Sequence, residues 1–311
     1  MCCLFGLLDY NNRLTQRQKN KMVSILSIAC EARGTDATGI AYNHNGRLSI
    51  YKRPFAAHKM KFNIPDVNTV MGHTRMTTQG SEKLNYNNHP FYGKTNNVEF
   101  ALAHNGVLYN DSTLHITEQL PETKIETDSY VAVQLIEKMK HLSFESLGYM
   151  AERLSGSFTI TVMDNDNNLY FVKGDNPMCI YHFPDVGIYI YASTEEILKK
   201  ALHKMPYRFE KYKKIELEMG DILKIDCNGK TEKSTFDTDL LCAYSYYSCF
   251  KPRRTLVTSK VKKASSENDE YIELLKSHAA FYGYTEDMVD MLLDDGYSTD
   301  DIEELLFCGA W

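Results

Sequence analysis

The amino-acid sequence predicts a layered α+β fold. Short strand-type runs come in groups, and helical segments cluster between those groups instead of following each strand, so no regular βαβ alternation is expected. Neither G-x-G-x-x-G nor G-x-x-x-x-G-K-[ST] occurs, which removes the commonest nucleotide-binding α/β folds. With 311 residues, 43% of them hydrophobic, the chain can fill one large core, or one core and a small appendage.

The elements follow in order. Residues 2–9 read as an apolar strand. Thr15 can cap a helix running to about residue 31, with Met22, Ile25, Leu26 and Ala29 on one face. The run 33–41, R-G-T-D-A-T-G-I-A, reads as a turn entering a strand. Asn45-Gly46 is the strongest short hairpin signal available and joins that strand to 47–53. Residues 69–75 and 98–104 are further strand-type runs. The polar stretch between them is rich in Gly, Asn and Pro, and a loop of that length in a compact domain is usually functional or disordered.

Residues 126–139 read as a helix through Val131, Leu135 and Met139, and a second helix falls near 144–153. Residues 155–163 and 169–173 alternate as a hairpin across N-D-N-N at 165–168. Strands are expected near 178–183, 187–192 and 214–225, with a helix from Thr194 to about residue 203. After Asp237 the character changes. Residues 238–268 read as a linker carrying six basic side chains, from Lys251 to Lys263, ahead of Ala-Ser-Ser. Residues 269–311 are acidic and helical, with a short repeat in which Thr285 and Ser298 each cap a helix. This segment is a small bundle similar in outline to ubiquitin-associated-type domains, or a helical cap on the main domain of residues 1–237.

A net charge of −6 argues against nucleic acid as the principal partner. The apolar start is too short for a secretory h-region and no 18-residue apolar run follows, so a soluble, cytosolic chain with no membrane role is expected. Eight cysteines form no C-x-x-C pair, which suggests neither a zinc site nor a disulfide framework. No metal and no cofactor is expected, and the later cysteines should behave as small buried hydrophobes.

The chemistry is concentrated at the start, Met1-Cys2-Cys3-Leu4-Phe5-Gly6. Removal of the initiator methionine before a small residue would leave Cys2 with a thiol of reference pKa about 8.5 and an α-amine of about 7.7–8.0. The amine can then relay a proton from its own sulfur near neutral pH. A first core strand is the bland alternative, and palmitoylation of Cys2 and Cys3 lacks any accompanying signal. Retention of Met1 would remove the free amine.

Three more segments give Cys2 company. G-H-T-R-M-T-T-Q-G at 72–80 sets Arg75 at a strand end before small hydroxyl residues and glycine. L-A-H-N-G-V-L-Y-N at 102–110 ends a strand at Asn105-Gly106, a pair that usually forms a turn. E-T-D-S at 126–129 opens a helix with Asp128.

In this order, beside an N-terminal cysteine, these segments resemble the class II glutamine amidotransferases, which are Ntn hydrolases. The likeness runs over about three quarters of the chain and also takes in Asn88-His89-Pro90. It implies a four-layer αββα sandwich of two stacked antiparallel sheets between helix layers, with a small C-terminal helical appendage. It further implies hydrolysis of glutamine through a γ-glutamyl thioester on Cys2. In that scheme the Asn105 side chain and the Gly106 N–H hold the oxyanion, Arg75 grips the α-carboxylate in a bidentate fork, and Asp128 takes the α-ammonium. Thr78 and Gln79 occupy the substrate loop, and Arg33 supports the nucleophile.

The sequence departs from the family pattern in three places. Cys3 stands where glycine is usual, Met76 replaces a common aromatic residue, and Gln79 replaces a residue that is often histidine. About 75 residues after Asp237 are too few for a second synthase domain. The expected partners are therefore glutamine and either a separate ammonia-accepting synthase or a protein bound by the C-terminal helices. Alternatives are a γ-glutamyl amidohydrolase acting on a metabolite conjugate, and a non-catalytic adaptor.

Overall fold

The computed structural model describes residues 2–96, 98–209, 211–241, 285–294 and, singly, 272, 276, 299 and 302. Its backbone organises around β1 (Cys3–Asp9), every residue of which is buried. β1 lies at the centre of a seven-stranded antiparallel sheet, hydrogen-bonded on one side to β4 (Thr69–Arg75) and on the other to β10 (Ile188–Ala192). The sheet continues outward through β2 (Ala37–His44) and β3 (Arg47–Arg53) on the β4 side. On the β10 side it continues through β9 (Cys179–Phe183) and β11 (Lys213–Ile215).

The second sheet has six antiparallel strands: β13 (Thr231–Thr235), β12 (Asp221–Ile225), β8 (Leu169–Lys173), β7 (Gly156–Asp164), β6 (Glu99–Leu108) and β5 (Phe91–Lys94). Side chains alternate across each strand, so β1 sends Leu4 and Leu8 to one face and Cys3, Phe5 and Leu7 to the other. The first face joins a core shared by both sheets, which includes Met71 of β4, Ala103 of β6, Phe171 of β8 and Tyr191 of β10. The other face packs on α1 (Gln16–Cys30) through Met22 and Leu26, and on α5 (Glu195–Lys204) through Leu198 and Ala201. The outer face of the second sheet carries its own cluster. There Leu102, Phe158, Ile160 and Val172 meet Val131 and Leu135 of α3 (Tyr130–Met139) and Leu147 and Met150 of α4 (Phe144–Ala151). A short α2 (Asp111–Thr117) precedes them.

Most of these elements lie where the sequence places them. Thr15 caps α1 in a capping box with Gln18, Ser143 caps α4 and Thr194 caps α5. Asn45 and Gly46 both take positive φ, 53° and 72°, as the tight β2–β3 turn requires. Four expectations need correction. The run 214–225 is not one strand: it divides into β11 and β12, which lie in different sheets, with Gly220 at φ 99° between them. Asn105-Gly106 is not a turn, because β6 continues through it to Leu108 in register with β7. The helix expected from residue 126 begins at Tyr130, leaving Asp128 in the turn ahead of it. The later cysteines are not uniformly buried, since Cys227 is exposed. Strands β5 and β13 and helix α2 are short and were not anticipated.

The chain divides into two units, Met1–Lys251 and Pro252–Trp311, with the division inside the basic stretch read as a linker. Most of that stretch lies outside the described residues, as does the helix expected after Ser298. In the second unit α6 (Glu286–Asp294) follows Thr285, Val289 and Ile302 are buried, and Lys276 pairs with Asp290 at 2.7 Å. No helix among the described residues is long and apolar enough to cross a membrane.

The shared core predicts a specific weakness. The Phe171 ring sits edge-on to Tyr191 with centroids 4.9 Å apart, one from each sheet, and both side chains are fully buried. Phe171→Ala should lower the unfolding free energy by about 3–5 kcal/mol in chemical denaturation, because the two sheets cannot close the void.

Candidate active site

The pocket forms where the start of β1, the end of β4 and the middle of β6 converge. Cys2, Arg75, Met76, Thr78, Gln79, His89, His104, Gly106, Thr127, Asp128 and Ser129 line it. Six of the eight residues singled out from the sequence therefore meet in one cavity. The other two, Arg33 and Asn105, lie directly behind it. The Arg33 Nε donates to the Cys2 carbonyl at 2.9 Å, and an Arg33 Nη2 lies 3.5 Å from Asn105 Oδ1. The Asn105 Nδ2 is 3.5 Å from Ser193 Oγ, which in turn accepts from the Leu4 N–H at 2.8 Å. Asn105 and Arg33 thus brace the backbone on which Cys2 sits.

The sulfur is buried, with 8% of the residue exposed. Burial pushes the Cys2 thiol up. The Met76 N–H, 3.4 Å from the sulfur, and the nearby Arg75 charge oppose that rise, whereas Asp128 adds to it. Gly106 lies on β6 with φ 148°, and a Cβ there would overlap the Ser157 carbonyl on β7. Only glycine allows that backbone to reach the pocket wall.

Asp128 has its carboxylate fixed by two backbone N–H donors. Oδ2 accepts from the Leu108 N–H at 2.6 Å, and Oδ1 accepts from the Ser129 N–H at 2.8 Å with the Ser129 hydroxyl 3.1 Å away. That hydroxyl also lies 2.8 Å from His104 Nδ1. Because His104 Nε2 faces the Ser157 carbonyl at 3.3 Å, it carries the ring proton and Nδ1 is the acceptor.

Arg75 differs from expectation in one respect. Its fork already grips protein groups: Nη1 donates to Asn88 Oδ1 at 2.8 Å, and Nη2 to the carbonyls of Gln79 and Gly80. The guanidinium therefore ties the loop that follows β4 to the pocket wall, and only part of its donor capacity is left for a ligand. Gln79 adds a second tie, donating from Nε2 to Asp111 Oδ2 at 3.2 Å. Asp36, from the 33–41 run, accepts from the Thr77 N–H at 2.7 Å and so fixes the start of the same loop.

Asn88, Asp36, Ser129 and Ser193 are contributors that motif reading left without a role. Asn88 and Asp36 were visible inside quoted motifs, whereas nothing local marks Ser193. Lys52 of β3 completes the frame by donating to the carbonyls of Asn88 and Pro90. Burial pulls its ammonium down to about 8, with the Arg75 charge acting in the same direction. Gly39 lets this segment lie flat on β2, since a Cβ there would overlap the His89 carbonyl. Among the described residues no group of three or more His, Cys, Asp or Glu side chains is arranged to hold a metal ion.

Comparison with known proteins bears on this geometry. Residues 73–200 match the family described as a glutamine amidotransferase domain. Glutamine phosphoribosylpyrophosphate amidotransferase from Bacillus subtilis superposes with a TM-score of 0.60 at 20% identity, covering 76% of this chain and 50% of that one. The chain carries a class II glutamine amidotransferase domain. An amidophosphoribosyltransferase from Methanocaldococcus jannaschii is 28% identical over 259 residues, which is 78% of this chain and 53% of that protein. A glutamine–fructose-6-phosphate aminotransferase from Bacillus subtilis is 31% identical over 161 residues, 48% of this chain and 26% of that protein. The chain thus spans about half, or less, of the length of these curated relatives. Within the amidotransferase domain, Arg75, Thr78, Gln79, Asn105, Gly106 and Asp128 fall inside the matched residues, and Cys2 and Arg33 precede them.

Three buried histidines next to the pocket carry a stability signature. Burial pushes His73 down to about 3 and lowers His89 and His104 as well. Below the ordinary histidine pKa of about 6.5 the unfolded chain takes up protons that the folded chain refuses, so stability falls as pH falls. Unfolding free energy should drop on the order of 1 kcal/mol from His73 between about pH 7.5 and pH 5.5 in urea titrations, with His89 and His104 acting in the same direction. A flat profile over that window would mean that these rings accept protons in the fold.

Proposed function

We propose that this chain hydrolyses the side-chain amide of glutamine to glutamate and ammonia. The observation that carries the reading is a buried sulfur, a guanidinium and a fixed carboxylate lining one pocket, at Cys2, Arg75 and Asp128. Free glutamine is a zwitterion with an amide at the far end, and it needs one group of each kind. The three core clusters, helix on sheet, sheet on sheet and sheet on helix, support the four-layer αββα arrangement for residues 1–237.

Once Met1 is removed, the Cys2 α-amine takes the thiol proton, directly or through one water, and Sγ attacks the carbonyl carbon of the side-chain amide. The carbonyl oxygen becomes an oxyanion, stabilised by the Gly106 N–H and the Asn105 amide. Loss of one such donor typically costs about 3–4 kcal/mol in the barrier. The amine returns its proton to the departing nitrogen, ammonia leaves, and a γ-glutamyl thioester remains. Water then adds to the thioester carbon, the sulfur leaves and recovers its proton, and glutamate is released. Arg33 acts at one remove, by fixing the Cys2 carbonyl. Asp128 receives the α-ammonium, while Thr78 and Gln79 close the loop over the substrate. None of these steps calls on a metal or an organic cofactor.

The ammonia passes to a separate acceptor or to solvent. Three outcomes test this reading together. Purified protein should release glutamate from glutamine, and Cys2→Ala should reduce release by at least about 1000-fold while keeping the wild-type melting profile. Asp128→Ala should raise the glutamine KM by about 10-fold or more, since it removes a charged partner from the ammonium. Faster turnover of another γ-glutamyl amide would reassign the substrate. A near-wild-type rate in Cys2→Ala would remove the mechanism.

A further inference from the structure

His89 stands out among the pocket residues because it is buried without a partner. Only 4% of it is exposed, it lines the Cys2 pocket, and neither ring nitrogen meets a hydrogen-bonding group among the described residues. Buried polar side chains are almost always paired, so an orphan on a pocket wall points to a ligand that supplies the partner. The ring is also held still. It packs tilted against His73 at 4.2 Å and Phe91 at 4.4 Å between centroids, and Lys52 clamps the carbonyls on either side of it. A second orphan, Thr127 Oγ1, lines the same cavity beside Asp128.

The surroundings of His89 select the kind of group it would meet. The full charges acting on it belong to Arg75 and Lys52, both cations, and its neighbour Asn88 is itself bonded to the Arg75 fork. That end of the pocket favours an anion and disfavours an ammonium. Arg75 also spends three of its hydrogen bonds on Asn88, Gln79 and Gly80, so a carboxylate arriving there needs a further donor. Burial holds the imidazole neutral, which leaves it one N–H to give.

We propose that His89 contacts the substrate, donating a ring N–H to the α-carboxylate beside Arg75. This rests on the glutamine-hydrolase reading and assigns one further residue to its substrate site. The contact is made in ground and transition state alike, so it governs KM more than kcat.

The test compares wild type, His89→Phe and His89→Gln on glutamine and on glutaminamide, in which the α-carboxylate is replaced by a neutral amide. Phenylalanine keeps the ring packing and removes both nitrogens, and glutamine restores a donor. With glutamine as substrate, His89→Phe should raise KM by about 10-fold or more with kcat within about twofold, and His89→Gln should recover part of the loss. With glutaminamide, all three proteins should agree within about twofold. An unchanged glutamine KM in His89→Phe, or an equal loss on both substrates, overturns the assignment.

If neither variant folds, side-chain nitrogen NMR of the Cys2→Ala protein titrated with glutamine decides the matter. The His89 nitrogens should shift, and unmoved signals at saturating ligand would overturn the contact. Wild-type protein that turns over no glutamine defeats the hydrolase reading and this inference with it. Turnover with an indifferent His89 defeats the inference alone.

Discussion

The position of the Cys2 sulfur depends on how the start of β1 is clamped. Here the clamp is the join between Cys2 and the body of the domain. β1 is paired with β4 up to Cys3, opposite Thr74, and with β10 from Phe5 onward, and Ser193 takes the Leu4 N–H. Arg33 takes the Cys2 carbonyl and the Met76 N–H approaches the sulfur. These restraints come from three separate parts of the chain: the end of β4, Arg33 and Ser193. Strand pairing by itself frays at its last residue, and a lone arginine contact on a loop does not fix a direction.

The same economy runs through the loop that follows β4. Arg75 sits at the end of β4, the strand beside β1, so one piece of sheet carries both the sulfur's neighbour and the guanidinium. By holding Asn88, Gln79 and Gly80 the guanidinium folds the loop that forms the cavity's roof. Asp128 is set from the other sheet, through the Leu108 N–H at the end of β6. The two charged ends of the pocket are therefore referenced to two different sheets. The shared core of Leu4, Met71, Ala103 and Phe171 keeps their separation constant. On the proposed reading the pocket recognises a zwitterion at fixed spacing, which requires that rigidity, because an error of about 1 Å at the reacting centre can cost on the order of 100-fold in rate.

How much of this was legible in the sequence varied with the range of the interaction. Strands with alternating or continuous apolar character, the Thr15 and Thr194 caps and the Asn45-Gly46 hairpin are local signals, and they read correctly. Asn105-Gly106 looked like a turn because the pair usually is one. Its place inside β6 depends on β7 supplying the partner at Thr159 and Phe158, which no local rule can see. The separation of β11 from β12 is likewise a tertiary fact, decided by which sheet each strand finds. At the site, the residues that touch the cavity were found through ordered motifs. Those that hold them from behind, Ser193 above all, come from distant strands and carry no signature of their own. The family resemblance implies a carboxylate-binding role for Arg75, and the commitments of its guanidinium to its own loop are visible only in three dimensions.

Peptide mapping of the protein quenched during glutamine turnover tests the central claim most directly. The account predicts an N-terminal peptide beginning at Cys2, carrying a γ-glutamyl group on that residue's sulfur that disappears when glutamine is exhausted. Full turnover by a chain that still begins with Met1, or an acyl group found on Cys3 or on any other side chain, would contradict it.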